Sequence, residues 1–145
     1  MTKLDFASNL IKNIAEGGFI LIKNELNYLK LKDNKLSLLP DDLFSCKELK
    51  YLDISMNQLS NLSDYIGELT ELKEFIASDN KLTNIPISLK FCQLLQILEL
   101  QNNKIKNITE NCFLLPSLLR LDLSSNELTE IPESLSGSLA LGNRK

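Results

Sequence analysis

The chain has 145 residues, enough for one domain with a buried core, and it contains no histidine. Its 16 Lys and Arg against 19 Asp and Glu leave a formal net charge of −3. The composition therefore lacks the excess of basic residues that would favour nucleic acid as a partner. The lack of histidine removes Ser-His-Asp and Cys-His catalysis and most zinc sites. The longest aliphatic-aromatic run, Phe19 to Ile22, is too short for a membrane span or a signal peptide. We therefore expect a soluble, cytoplasmic protein.

One spacing of apolar residues and asparagine recurs along the chain. Its clearest copy begins at Leu118 and continues through Leu121, Leu123, Asn126 and Leu128. The same spacing returns every 23 residues, in copies that begin at Leu95, Leu72, Leu49 and Leu26. A weaker copy begins at Met1. A fixed period of this length predicts a solenoid of stacked repeats.

This spacing resembles the leucine-rich repeat family, in the 23-residue Leu-Pro-x-x-Leu form of intracellular Ras-suppressor-type proteins. The resemblance implies an α/β fold, a curved solenoid with a parallel β-sheet on the concave face and irregular or 3₁₀ turns on the convex face. It also implies protein–protein recognition, without naming the partner. We predict one domain over 1–145, with repeats at about 1–25, 26–48, 49–71, 72–94, 95–117 and 118–140.

Within each copy, apolar and polar residues alternate with the period of a short strand. The predicted inward-facing pairs are Leu29/Leu31, Leu52/Ile54, Phe75/Ala77, Leu98/Leu100 and Leu121/Leu123. An asparagine follows each strand, at Asn9, Asn34, Asn57, Asn80, Asn103 and Asn126. Because an amide offers two donors and an acceptor, we predict that these side chains form a ladder that satisfies the backbone of neighbouring turns.

The return segments are too short for long helices, so we predict 3₁₀ or irregular turns there. Proline begins three of them, and Ser63 and Thr109 take its place in two others as candidate caps of a short helical turn. The first copy carries Gly17-Gly18 where a core leucine belongs, which predicts a bulged return loop. Neither end shows a recognisable cap, so we expect a fragment or end repeats that pair with another copy. Hydrogen exchange should then be fastest in residues 1–25 and 130–145.

The three cysteines, Cys46, Cys92 and Cys112, fall at positions where other copies carry Leu or Ile. They are therefore predicted to be small buried hydrophobes. Cys46 and Cys92 lie two repeats apart, or two strand spacings of about 4.8 Å, which exceeds disulfide reach. Unpaired buried thiols suit a reducing cytoplasm. With no phosphate-binding glycine loop either, we predict no enzyme, no cofactor and no metal site.

The outward-facing strand residues are free of core demands and form the candidate partner-binding surface. In chain order they are Tyr28, Lys30, Tyr51, Asp53, Glu74, Ile76, Ile97, Glu99, Arg120 and Asp122. Exposed Tyr and Ile residues are explained either by binding or by packing against each other, since Tyr28 and Tyr51 are placed to stack across adjacent strands.

A basic, partly apolar protein segment would fit this surface. We expect Tyr51, Ile76 and Ile97 to anchor it. Three carboxylates are expected to orient it: Glu74, Glu99 and Asp122. The register also predicts a favourable pair of Lys30 with Asp53, and an unfavourable pair of Glu99 with Asp122 that Arg120 partly neutralises.

The sequence is compatible with three functions. The first is an interaction module or scaffold in intracellular signalling that binds a protein on its concave sheet. The second is a regulatory segment of a larger kinase, phosphatase or GTPase-linked enzyme whose catalytic domain lies outside this chain. The third is a structural element that self-associates through open ends. No nucleic-acid or membrane partner is expected.

Overall fold

The computed structural model describes residues 1–133 and Leu135. Its six strands are β1 (Thr2–Asp5), β2 (Leu26–Lys30), β3 (Tyr51–Asp53), β4 (Glu74–Ile76), β5 (Ile97–Glu99) and β6 (Arg120–Asp122). They form one parallel sheet in chain order, in regular register from β2 to β6, with one register shift between Thr2 and Lys3 where β1 pairs with β2. The predicted solenoid, with one strand from each repeat, is confirmed. The predicted end of the last repeat, residues 136–140, and the segment 141–145 lie outside the described residues.

The core is a column of inward-facing strand residues that repeats from strand to strand. The four predicted pairs from Leu29/Leu31 to Leu98/Leu100 are at most 1% exposed. The last pair, Leu121 and Leu123, is only partly buried because no described repeat covers it. In a solenoid each repeat contacts only its neighbours, so a repeat at one end buries less apolar surface than a repeat in the middle.

The three cysteines are free and buried, as their register predicted. Burial raises the pKa of the Cys92 thiol to about 12. Burial, followed by the charge of Asp42, raises the pKa of Cys46 to about 11. The thiolate is the reactive form of cysteine, and a raised pKa keeps the thiol protonated at neutral pH. These cysteines are therefore unreactive core residues.

Three 3₁₀ helices lie on the convex side, at Asp41–Ser45 (η1), Asp64–Glu68 (η2) and Ile87–Phe91 (η3). Ser63 caps η2, since its Oγ accepts a hydrogen bond from the Tyr65 N–H at 3.2 Å. Thr109, the other candidate cap, leads into a turn at 110–113 rather than a helix. Gly67 lets η3 approach η2, because a Cβ at this position would lie 2.6 Å from the carbonyl oxygen of Ser88.

The first return segment is a series of turns over 16–25, as the paired glycines predicted. Gly17 has φ +86, in the left-handed region that glycine enters without steric cost. Phe19 from this segment is buried, and its N–H donates to Asp42 Oδ2 of η1 at 2.7 Å. The irregular loop is thereby tied to the second repeat.

The asparagine ladder has the predicted form at five of its six positions, whereas the Asn9 side chain bonds only within its own turn, to Phe6 and Ala7. Asn80 Oδ1 accepts from the Leu59 N–H at 3.0 Å, and Asn80 Nδ2 donates to the Ile54 carbonyl at 2.9 Å. The same amide closes its own turn through the Ala77 carbonyl. Asn34, Asn57, Asn103 and Asn126 repeat this arrangement.

A positive φ just before each of these asparagines did not emerge from the sequence. The residues, with φ between 54 and 57, are Ser8, Asp33, Met56, Asp79, Asn102 and Ser125.

Among residues 1–133 and Leu135, no helix has both the length and the apolarity to cross a membrane.

Candidate functional site

The ten predicted binding residues lie in two adjacent rows on one face of the sheet. The strand register gives one row as Tyr28, Tyr51, Glu74, Ile97 and Arg120, and the other as Lys30, Asp53, Ile76, Glu99 and Asp122. Both rows follow from the alternation of side chains along each strand, which turns the intervening leucines and Phe75 to the core. The structure thus brings all ten together. Whether they bind a partner stays a prediction.

The first row begins with an aromatic stack. The rings of Tyr28 and Tyr51 are parallel within 6°, with centroids 4.3 Å apart, which confirms the predicted cross-strand contact. Lys3 extends the stack, since its Nζ lies 5.7 Å from the centre of the Tyr28 ring. Burial, and then the nearby Asp53 carboxylate, raises the pKa of Tyr51 well above its usual range. The phenol therefore stays protonated and remains a hydrogen-bond donor on this face.

Asp53 is the predicted site residue that offers the least surface. Asp53 is only 3% exposed. Its Oδ1 accepts hydrogen bonds from both the N–H (2.9 Å) and the Oγ–H (2.6 Å) of Ser55. Lys30 is its register neighbour, but no ion pair joins the two anywhere in the described part of the chain. The predicted position of Lys30 beside Asp53 is confirmed, but the Asp53 carboxylate bonds to Ser55 through Oδ1 and to the Tyr51 hydroxyl through Oδ2 rather than to Lys30.

The acidic pair Glu99 and Asp122 is compensated locally. Arg120 Nη2 lies 3.2 Å from Glu99 Oε1, with the Arg120 side chain 61% exposed and that of Glu99 only 17%. Asp122 Oδ1 accepts from the Ser124 Oγ–H and N–H, and these two bonds hold the pKa of Asp122 below its usual range. The predicted neutralisation by Arg120 is confirmed. Glu74 is left as the site carboxylate with neither an ion pair nor a side-chain hydrogen bond among the described residues.

The combined face offers a half-buried apolar strip with charges at either side, which is the composition of a protein-binding surface. The strip consists of Tyr28, Tyr51, Ile76 and Ile97, all partly exposed. In the described part of the chain, no cluster of Asp, Glu or Cys side chains has the arrangement of a metal site.

A second apolar surface, on the convex side, was missed by the sequence reasoning. We name it the convex strip: Ile87, Phe91, Leu94 and Leu114, each at least 40% exposed. The repeat pattern could have indicated this surface. Phe91 and Leu114 occupy the position that Glu68 holds in an earlier repeat, so apolar residues stand where another repeat carries a charged one. The contact of Lys90 Nζ with the Phe91 ring, at 5.3 Å, covers only part of it.

The comparisons with known proteins settle the class of protein. The model of the leucine rich repeat family matches residues 24–82 and 93–141, most of the chain. The chain therefore belongs to the leucine-rich repeat family. A search of curated protein sequences finds no match.

Three solved structures with the same architecture are much longer chains. The leucine-rich repeat protein LIC12759 of Leptospira interrogans superposes with a TM-score of 0.86 at 27% identity, over 93% of this chain and 34% of that one. The plant peptide hormone receptor RGFR1, solved in complex with RGF2, gives 0.82 at 32% identity, over 93% and 22%. The ectodomain of the Arabidopsis thaliana receptor kinase GASSHO1/SCHENGEN3, in complex with CASPARIAN STRIP INTEGRITY FACTOR 2, gives 0.84 at 27%, over 96% and 17%.

Proposed function

We propose that the protein is a cytoplasmic interaction module that binds a segment of a partner protein along its concave sheet. The observation that carries the proposal is the apolar strip of Tyr28, Tyr51, Ile76 and Ile97, which crosses four adjacent strands on a face that the core does not use. Aromatic and aliphatic groups in a contiguous, solvent-facing strip are typical of interfaces. Two of the similar structures are receptors solved with a second molecule, which supports a protein or peptide as the partner.

The charges on this face define the chemistry of the segment. Lys3 and Lys30 lie on the first two strands, whereas Glu74 and Glu99 lie on the fourth and fifth. Because Arg120 already neutralises Glu99, the open acidic position is Glu74, beside Ile97 in the register. A segment with an apolar centre over Tyr51 and a basic residue near Glu74 complements this arrangement. The charge is expected to act on the association rate and its salt dependence more than on the final affinity.

The cytoplasmic assignment and a role in signalling or scaffolding are parts of the same proposal. Three buried, unpaired cysteines support a reducing compartment, where thiols persist. The similarity to Ras-suppressor-type repeats supports a scaffold that holds signalling proteins together. Fractionation of cells that express the tagged chain tests this part, and recovery in an exported fraction would contradict it.

The binding face is tested by capture from native lysate with two double variants that each lose two solvent-accessible apolar side chains. Tyr51→Ala/Ile97→Ala alters the concave face, and Ile87→Ala/Phe91→Ala alters the convex strip as the matched control. Truncation of central anchors costs about 2 kcal/mol or more, so the concave variant should lose at least tenfold in retained partner. Both must melt as cooperatively as the original chain. Loss in the convex variant alone would place the site on the other face.

The alternative is a regulatory segment of a larger signalling enzyme. One similar structure is the ectodomain of a receptor kinase, and this chain spans 17% of it. Catalysis would then lie in another domain, and the concave face would serve as its docking or control surface. The gene decides between the two, because a reading frame that continues past Lys145 into a catalytic sequence favours the enzyme.

A further inference from the structure

The residue just before each ladder asparagine has a left-handed backbone in all six described repeats. In five of them it has a short polar side chain, namely Ser8, Asp33, Asp79, Asn102 and Ser125. Short polar residues, asparagine and aspartate above all, tolerate this conformation, whereas long apolar ones rarely adopt it. Met56, with φ +54, is the exception.

The repeat fixes the backbone at this position, whatever side chain stands there. The Met56 N–H donates to the Ser78 carbonyl of the next repeat at 3.0 Å, and the Met56 carbonyl accepts from the Asn34 N–H of the preceding repeat at 3.2 Å. A change of backbone conformation at Met56 would break both bonds. Methionine is therefore held in a conformation that disfavours it, and residues held in this way cluster at positions that contact ligands.

The Met56 side chain does not stabilise the interior in return. It is 44% exposed and lies outside the hydrophobic core. The same position in the two flanking repeats carries Asp33 and Asp79, so the apolar surface here is one side chain wide. A single exposed apolar residue is common on protein surfaces and would carry no function alone. Its combination with an unfavourable backbone is what requires an explanation.

Met56 lies at the rim of the concave face, close to the apolar strip. It follows Asp53, the last residue of β3, by three positions, and Asp53 pairs in register with Ile76 of that strip. Between them the outward-facing residues are Ser55 and Ser78, which are small and only 2% and 5% exposed. A low floor therefore joins the strip to Met56. The distance is about 10 Å, which three residues of an extended segment cover.

We propose that Met56 is a further binding residue of the concave site and contacts an apolar side chain of the partner segment where that segment passes over the rim. The inference rests on the proposed function, because the segment is the one that Tyr51 and Ile97 anchor. Methionine suits the contact, since its unbranched, polarizable side chain adapts to irregular partners and is frequent at binding surfaces. Met56 thus lowers the stability of the fold and strengthens binding.

The test is Met56→Asn, measured in two ways that should move in opposite directions. Its urea midpoint should rise, because asparagine tolerates the left-handed backbone. Capture of the partner from native lysate should fall by about fivefold or more, because the apolar contact is lost. Since the variant is the more stable protein, unfolding cannot account for weaker capture.

Two control variants separate the side chain from the backbone. Met56→Leu keeps an apolar side chain in the same conformation, so it should capture within about twofold of the original chain and show no higher midpoint. Gln58→Asn introduces asparagine at a nearby exposed position with ordinary backbone geometry and should change neither quantity. Equal capture by Met56→Asn and the original chain, with capture lost in Tyr51→Ala/Ile97→Ala, overturns the role of Met56 and leaves the proposed function standing. Capture that survives in both variants contradicts the proposed function, and the role of Met56 with it.

Photochemical crosslinking locates the contact directly. The chain contains two methionines, Met1 and Met56, so incorporation of a diazirine analogue of methionine places a photoreactive group at residue 56 and at one other site. Irradiation in native lysate should join the captured protein to the peptide that contains residue 56, and Tyr51→Ala/Ile97→Ala should abolish that product. A captured protein without a crosslink to residue 56 overturns the proposal. So does a crosslink that persists when the concave anchors are removed.

Discussion

The middle and the beginning of the solenoid carry the same pattern and obtain different stability from it. The buried Asn80 side chain bonds to the preceding repeat as well as to its own turn, while the exposed Asn9 side chain bonds only to its own turn. Leu82 is fully buried, whereas Ile11, its equivalent in the first repeat, is only partly so. The contribution of a repeat position to the free energy of unfolding is therefore not fixed, because it depends on whether a neighbouring repeat completes the contact.

Truncation of the core residue should show the largest difference between the two regions. Leu82→Ala removes a fully buried side chain and should lower the free energy of unfolding by about 2–5 kcal/mol. Ile11→Ala should cost less than half as much, since water already reaches part of the site. Urea denaturation of both variants measures this, with the exposed Lys81→Ala as a neutral control. Equal midpoints for Leu82→Ala and Lys81→Ala would contradict the register.

The asparagine ladder should show the next largest difference. Asn80→Ala leaves the Leu59 N–H without its acceptor inside the protein and should cost about 1–3 kcal/mol. Asn9→Ala breaks bonds that water can replace, so its effect should stay within about 0.5 kcal/mol. The two changes are chemically identical, so their denaturation midpoints compare context alone. A similar loss in both would show that the ladder acts within single turns rather than between them.

The sequence predicted the fold and the ladder because both depend on periodicity, which fixed residue types report directly. It did not reveal the left-handed residue before each asparagine, since four different residue types, Ser, Asp, Met and Asn, occupy that position. Nor did it reveal that Asp53 is buried, because that depends on a bond to Ser55 two residues further on. The two rows of the candidate site followed from strand alternation. Their ion pairing did not, since it depends on rotamers and on competing hydrogen-bond donors.

A third change tests a feature that does not depend on neighbours. Met56 has φ +54, a conformation that costs most side chains about 1–2 kcal/mol and that asparagine tolerates. Met56→Asn should therefore raise the free energy of unfolding by about 0.5–1 kcal/mol. Gln58→Asn, at an exposed position with ordinary backbone geometry, is the matched control and should give no gain. A gain in both variants would point to a general effect of asparagine rather than to relief of strain.

The smallest effect is expected at the edge strand, where Asp122 repeats the contacts that Asp53 makes in the middle. Its pKa lies below the ordinary value of 3.8, chiefly because of the Ser124 Oγ–H and then the Ser124 N–H. The folded state therefore holds this proton less tightly than the unfolded state. The resulting stabilisation is complete above the ordinary pKa and is lost as the pH falls through the lowered one.

Ser124→Ala removes the hydroxyl and keeps the N–H, so the pKa of Asp122 should rise part of the way towards 3.8. NMR titration of the Asp122 carboxyl carbon measures that rise. The stability difference between the original chain and the variant should be constant near neutral pH and should shrink in acid, because protonated Asp122 no longer attracts the hydroxyl. In Ser55→Ala, by contrast, the carboxylate that loses its bond is buried, so the loss at neutral pH should be larger. Equal losses in the two serine variants would mean that the edge strand is as well covered as the middle of the sheet.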